Sequence, residues 1–68
     1  MEEFAISLKD LREQEGLTQE EFAKDLNVSI NTYRTWEARG TNHRTPTVKK
    51  LIKIANLLNV SLDKLVGR

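Results

Sequence analysis

Apolar residues recur at helical spacing almost throughout the chain, and no stretch alternates apolar and polar residues long enough to suggest a strand. The pattern predicts five helices. The first, about residues 5–15, turns Ile6, Leu8 and Leu11 toward a core and stops at Gly16, a residue that takes the left-handed conformation at low cost. A second begins at Thr18. Glu21, three residues on, completes a capping box, while Leu17 and Phe22 stand at the two positions of a hydrophobic staple. Its apolar set Phe22, Ala23 and Leu26 leads to Asn27, which tolerates a left-handed turn better than other non-glycine residues. Ser29 then caps a third helix with Val28 and Tyr33 as its staple, running to about Ala38. Tyr33 and Trp36, at i and i+3, share its buried face. Only about three residues separate the second and third helices, which imposes an angled pair over about residues 18–38, the helix-turn-helix arrangement, not a long antiparallel hairpin.

"ARGTNHRT", residues 38–45, is a polar loop. Thr45 reads as the cap of a fourth helix and Pro46 as its first residue, where the missing N–H costs nothing. That helix carries Val48, Leu51, Ile52, Ala55 and Leu58 inward and leaves Lys49, Lys50 and Lys53 outside. In "NVSLDKLVGR" Ser61 is a cap and Val60 and Leu65 a staple, with Gly67 ending a short fifth helix.

Composition narrows the class. The 68 residues make a single domain, 1–68, near the lower limit at which one apolar core can hold a fold. Without cysteine there is no disulfide and no thiolate metal site. At 38% hydrophobic and 31% charged the chain is of the ordinary soluble globular kind. No apolar stretch approaches the roughly 18 residues of a membrane span, and the acidic start "MEEFAISLKD" does not resemble a signal peptide, so a cytoplasmic location is expected. A net charge of +1 conceals a strong asymmetry. Residues 1–33 hold eight acidic against three basic groups, whereas in residues 34–53 Arg34, Arg39, Arg44, Lys49, Lys50 and Lys53 face only Glu37. A basic segment of this kind is compatible with a polyanionic partner, and equally with a helix kept wet by its lysines.

"LREQEGLTQEEFAKDLNVSINTYRTWE", a following proline and "LIKIANLLNVSLDKL" resemble the lambda-repressor-like, Xre/Cro-type helix-turn-helix DNA-binding domains over nearly the whole chain. The resemblance rests on Arg12 near the end of the first helix, "LTQEEFA", the "VS" before the third helix, "WE" at its end and the "NVSLDKL" tail. It implies an all-α, compact five-helix architecture with the third helix as recognition helix, and a role in transcriptional control. It makes Gln19 a phosphate contact and a spacer against the third helix, and Arg12 and Glu37 an ion pair tying the first helix to the third. The base-reading positions it implies are Ile30, Asn31, Thr32 and Thr35, with Arg34 alongside. Two features depart from the family: its usual turn glycine is Asn27, and the segment from Glu37 to Pro46 is longer than the common form, so loop contacts do not transfer by position.

The residue chemistry suits these roles. Asparagine can pair two hydrogen bonds with adenine in the major groove, a threonine methyl can meet a thymine methyl, and arginine suits guanine or a phosphate. The competing reading is that the same side chains merely solvate an amphipathic helix. Gln19 lies where a helix N-terminus already favours an anion, although Glu20 and Glu21 can satisfy that dipole themselves. Arg39, His43, Arg44 and Thr45 occupy the loop past which DNA phosphates would run, or are simply solvated there. Tyr33 and Trp36 read as core rather than as stacking platforms. Ser29 and Ser61 are explained as caps, His43 has no second histidine, and no phosphate-cradling glycine loop exists, so neither an enzyme, a metal, a cofactor nor a small-molecule ligand is expected. The expected partner is double-stranded DNA carrying a pseudo-palindromic operator, bound by a homodimer. The rival is a protein-interaction module of the same fold, such as an antitoxin or coactivator-like bridge, with Leu57, Leu62 and Val66 as its apolar patch.

Overall fold

The computed structural model describes residues 2–38 and 44–66, which form α1 (Glu2–Gln14), α2 (Gln19–Asp25), α3 (Ile30–Glu37), α4 (Val48–Leu58) and α5 (Leu62–Leu65), with no strand among them. One short connector recurs three times. Gly16, Asn27 and Asn59 adopt φ of +73°, +59° and +56°. The next residue then donates back across the finished helix: Leu17 to the Arg12 carbonyl at 3.2 Å, Val28 to Ala23 at 3.0 Å, Val60 to Ala55 at 3.0 Å. This is the Schellman closure, made possible by a residue that enters the left-handed region. The residue after that caps the next helix: the hydroxyls of Thr18, Ser29 and Ser61 accept from the N–H of Glu21, Thr32 and Lys64. At Thr18 the box is complete, because Glu21 accepts from the Thr18 N–H at 2.9 Å in return. "GLT" and two copies of "NVS" thus each end one helix and start another, satisfying orphan backbone groups on both sides.

The same connectors aim the core. Leu17, Val28 and Val60 lie against a cluster built from Phe4, Leu8 and Leu11 of α1, Phe22 and Leu26 at α2, Tyr33 and Trp36 of α3, Ile54, Ala55 and Leu58 of α4, and Leu65 of α5. Phe22 meets Tyr33, and Tyr33 meets Trp36, edge to face with ring centroids 5.7 Å apart in both pairs. That geometry suits the ring quadrupoles and adds about 1 kcal/mol per pair to simple burial.

Several expectations are corrected. α1 spans Glu2–Gln14 rather than 5–15, and its inward face is Phe4, Ala5, Leu8, Leu11 and Arg12; Ile6, on the opposite side, is 41% exposed. α3 ends at Glu37, with Ala38 already extended. The cap of α4 is Thr47, not Thr45: its hydroxyl accepts from Lys50 N–H at 3.3 Å, and Pro46 lies buried before the cap instead of opening the helix. α4 is also rotated from the expected phase. Ile54 is fully buried, while Ile52 and Val48 are 45% and 69% exposed. An inward set of Leu51, Ile54, Ala55 and Leu58 is as good a helical stripe as one starting at Val48, and the packing of α4 on its neighbours selects it. With that rotation Lys50, expected outside, is half-buried and donates from Nζ to the Leu26 carbonyl at 2.8 Å, tying α4 to the C-terminal end of α2. Gly67, expected to end α5, lies outside the described residues. No helix among the described residues is long and apolar enough to cross a membrane.

The phase of α4 is testable by truncation. Ile54→Ala should lower stability by about 3 kcal/mol, as for other buried isoleucines, whereas Ile52→Ala should stay within about 0.5 kcal/mol of wild type, both read from urea unfolding midpoints.

Candidate nucleic-acid interface

α3 has two chemically different sides. Tyr33, Trp36 and Glu37 face the protein, and Asn31, Thr32 and Arg34 are exposed, with Thr35 half-buried beside them. Asn31 and Thr35 are four residues apart and therefore share one ridge of the helix. The helix starts at Ser29, whose hydroxyl accepts from Thr32 N–H at 3.1 Å and donates to Thr32 Oγ1 at 2.9 Å. Thr35 Oγ1 donates to the Thr32 carbonyl at 2.6 Å. Ile30, grouped with the exposed front on the resemblance, is half-buried and packed against the core.

What seats this helix is the Glu37 carboxylate. Arg12 meets it with two prongs, Nε to Oε2 at 2.7 Å and a terminal nitrogen to Oε1 at 3.1 Å, and its other terminal nitrogen donates to the Leu17 carbonyl at 2.6 Å. The Tyr33 hydroxyl donates to Glu37 Oε2, and Gln19 Nε2 donates to Oε1 at 3.1 Å. One carboxylate thereby joins α1, the start of α2 and α3. The Arg12 and Glu37 side chains are only 8% and 4% exposed. Burial pushes the Glu37 carboxyl up, but the hydrogen bonds from Arg12, Tyr33 and Gln19 and the guanidinium charge outweigh it and hold the group below its usual value of 4.5. Burial, then the bond to Glu37 and its charge, push the Tyr33 hydroxyl in the opposite direction, so it remains a donor. The bond of Glu37 to Arg12 likewise raises the guanidinium. The Tyr33–Glu37 contact escaped the reading of the sequence, although the two stand at i and i+4, the spacing at which helix side chains meet.

The chain returns to α3 after the loop. Arg44 N–H donates to the Thr35 carbonyl at 3.0 Å, so Arg44 and Thr45, both exposed, lie against the front of the helix. Together with Asn31, Thr32, Thr35 and Trp36 they line a concavity of about 300 Å³. Arg39 and His43 lie outside the described residues. Among those described, no group of histidines and carboxylates has the arrangement of a metal site.

This is a short helix pair with a polar outer ridge on its second member, and residues 8–65 match the helix-turn-helix family. The chain belongs to that family. Its relatives within it include the HTH-type transcriptional regulator ImmR of Bacillus subtilis, 39% identical over 61 residues that make up 90% of this chain and 46% of the relative. A second Bacillus subtilis relative, the uncharacterized HTH-type transcriptional regulator YqaE, is 40% identical over 93% of this chain and 52% of its own length. The cryptic phage CTXphi transcriptional repressor RstR of Vibrio cholerae is 35% identical over 75% of this chain and 43% of the repressor. The chain spans about half the length of these relatives. No solved structure matches it significantly.

The Glu37 hub predicts a pH dependence. A carboxyl depressed in the folded state contributes stability above its unfolded value, near 4.5, and loses it as pH falls from there through the lower folded value. Glu37→Gln should therefore be less stable than wild type at about pH 7 yet lose less on going to about pH 3, as measured by urea unfolding at the two pH values.

Proposed function

We propose that this chain is the non-enzymatic, sequence-specific double-stranded DNA-binding domain of a transcriptional regulator, a repressor, and that α3 reads the major groove. The observation that carries this reading is the exposed ridge of Asn31, Thr32 and Thr35, with Arg34 beside it, on a helix whose opposite side is fixed by Tyr33, Trp36 and the Glu37 hub. A helix of that kind offers hydrogen-bonding and methyl groups to base edges from a rigid seat. The regulator and repressor names of ImmR and RstR support the role.

In this reading Asn31, Thr32, Arg34 and Thr35 meet base edges, Ile30 makes an apolar contact at the entry of the helix, and Gln19, Arg44 and Thr45 meet phosphates. The Gln19 amide has a second N–H beyond the one directed at Glu37, so it can serve both. Arg39 and His43 join the phosphate contacts from the loop. The domain works in the cytoplasm as a homodimer on a pseudo-palindromic operator, its two α3 helices entering grooves about one turn, ~34 Å, apart. Leu57 and Leu62, 45% and 43% exposed, are the apolar surface for that dimer. The same two residues favour a second reading, a protein-interaction module such as an antitoxin, in which they meet a different protein; Val66 contributes less, being half-buried against the core.

Enrichment of random duplexes on the purified protein should yield a preferred site. On it Asn31→Ala should cost about 1–3 kcal/mol while leaving random duplex little affected, as read by gel-shift titration. Arg44→Ala should weaken both alike and flatten the dependence of affinity on salt. If sedimentation at low salt shows no shift on adding duplex, the interaction-module reading replaces this one.

A further inference from the structure

Ile6 of α1 and Val48 and Ile52 of α4 are large apolar side chains left at the surface by the phase of their helices. They belong to two surfaces of opposite charge. Ile6 lines a groove of about 380 Å³ between α1 and α5, together with Glu3, Ser7, Asp10 and Gln14 of α1 and Lys64 of α5, and the nearly buried Leu11 adds to its apolar lining. The Ser7 hydroxyl donates to the Lys64 carbonyl at 2.8 Å and ties the two walls together. Glu3 and Asp10, at i−3 and i+4 from Ile6, share its face of the helix, with Glu13 one turn further on and Lys9 at the side. On α4, Val48 and Ile52 stand one turn apart with Lys49 and Lys53 directly after them, and all four are exposed. That helix carries no carboxylate. Leu57, nine residues from Val48, lies about half a turn out of phase with it, so this ridge is distinct from the Leu57 edge. Glu3, Asp10, Lys49 and Lys53 have no ion-pair partner among the described residues.

We propose that the groove between α1 and α5 takes the Val48 and Ile52 ridge of α4 from a second copy of this chain, with Ile52 set against Ile6 and with Lys49 and Lys53 facing the carboxylates of Glu3 and Asp10. Both halves of the contact are then apolar at the centre and charged at the rim, with opposite signs, which is the complementarity that aligns two surfaces and selects between partners. Four residues of helix separate the two lysines and seven the two carboxylates, about 6 Å and 10 Å of rise, a difference that flexible lysine side chains span. The wider charge distribution acts in the same direction, because residues 1–33 carry a net −5 and residues 34–53 a net +5. Two different surfaces meet, so the contact is heterologous and leaves each copy free to engage a third. It requires no DNA and is separate from the surface formed by Leu57 and Leu62.

The test is sedimentation of the full chain without DNA, over a concentration series reaching the millimolar range at low salt. Self-association should appear and should weaken as salt is added, because the rim charges are exposed. Ile52→Ala and Ile6→Ala should each weaken it roughly tenfold by removing apolar surface from the contact, while the urea midpoint of Ile52→Ala stays near that of wild type. Glu3→Lys combined with Asp10→Lys places like charges across the contact, as does Lys49→Glu combined with Lys53→Glu, and each double variant alone should associate at least about tenfold more weakly. An equimolar mixture of the two double variants should associate as wild type does, since the ridge of each then matches the groove of the other. That recovery also shows that both variants fold. Association that ignores both charge reversals overturns the contact and leaves a dimer through Leu57 and Leu62 in its place. A mixture that fails to recover association, or a wild-type chain that stays monomeric throughout the series, overturns it as well; neither result touches the reading of DNA by α3.

Discussion

The fold turns on one carboxylate. Glu37 sits at the last position of α3 and accepts hydrogen bonds from Arg12, Tyr33 and Gln19, so that α1, the first residue of α2 and α3 share a single acceptor. A charge this withdrawn from water is costly unless its lone pairs are filled, and here they are. The arrangement is brittle by design of its chemistry: removing either Arg12 or Glu37 leaves an uncompensated charge in a domain whose whole stability is only about 5–10 kcal/mol. It also removes rotational freedom from α3. The two helices of the motif can pack at one angle, and the outer ridge then points in one direction.

The connectors complete what the hub begins. Left-handed Gly16, Asn27 and Asn59 fold the chain back within three residues each time, and the threonine or serine that follows starts the next helix at once. No long loop lies between α1, α2 and α3, so the placement of these three helices relative to one another is set by short, capped connectors. Rigidity of this kind suits a surface that must present a few polar groups at fixed spacing. The segment after α3 is longer, yet Arg44 returns to the Thr35 carbonyl and places a second wall beside the ridge.

Much of this was legible from residue order because its causes are local. Caps and staples are set within about five residues, so Thr18, Ser29 and Ser61 announce three helix starts, and Tyr33 and Trp36 announce the inner side of α3. The inward faces of α1 and α4 were less legible. Both helices carry apolar residues on more than one face, and Ile6 and Ile52 fit a stripe as well as Phe4 and Ile54 do. Likewise "RTPT" offers two threonines as caps, and local chemistry does not distinguish Thr45 from Thr47. Proline decides in favour of the second once its ring is buried ahead of the helix rather than within it.

The order of residues by itself determined that five helices form, where α2, α3 and α5 begin, that the link between α2 and α3 forces an angled pair, and that Asn31, Thr32 and Thr35 share a polar ridge, since helix periodicity and capping act over a few residues. Tertiary packing alone decided which stripes of α1 and α4 turn inward, that Lys50 reaches back to α2, that Gln19 joins Arg12 on Glu37, and that Arg44 and Thr45 close a hollow against α3. Those outcomes depend on groups separated by many residues, whose meeting is fixed by the shape of the filled core rather than by any pattern along the chain.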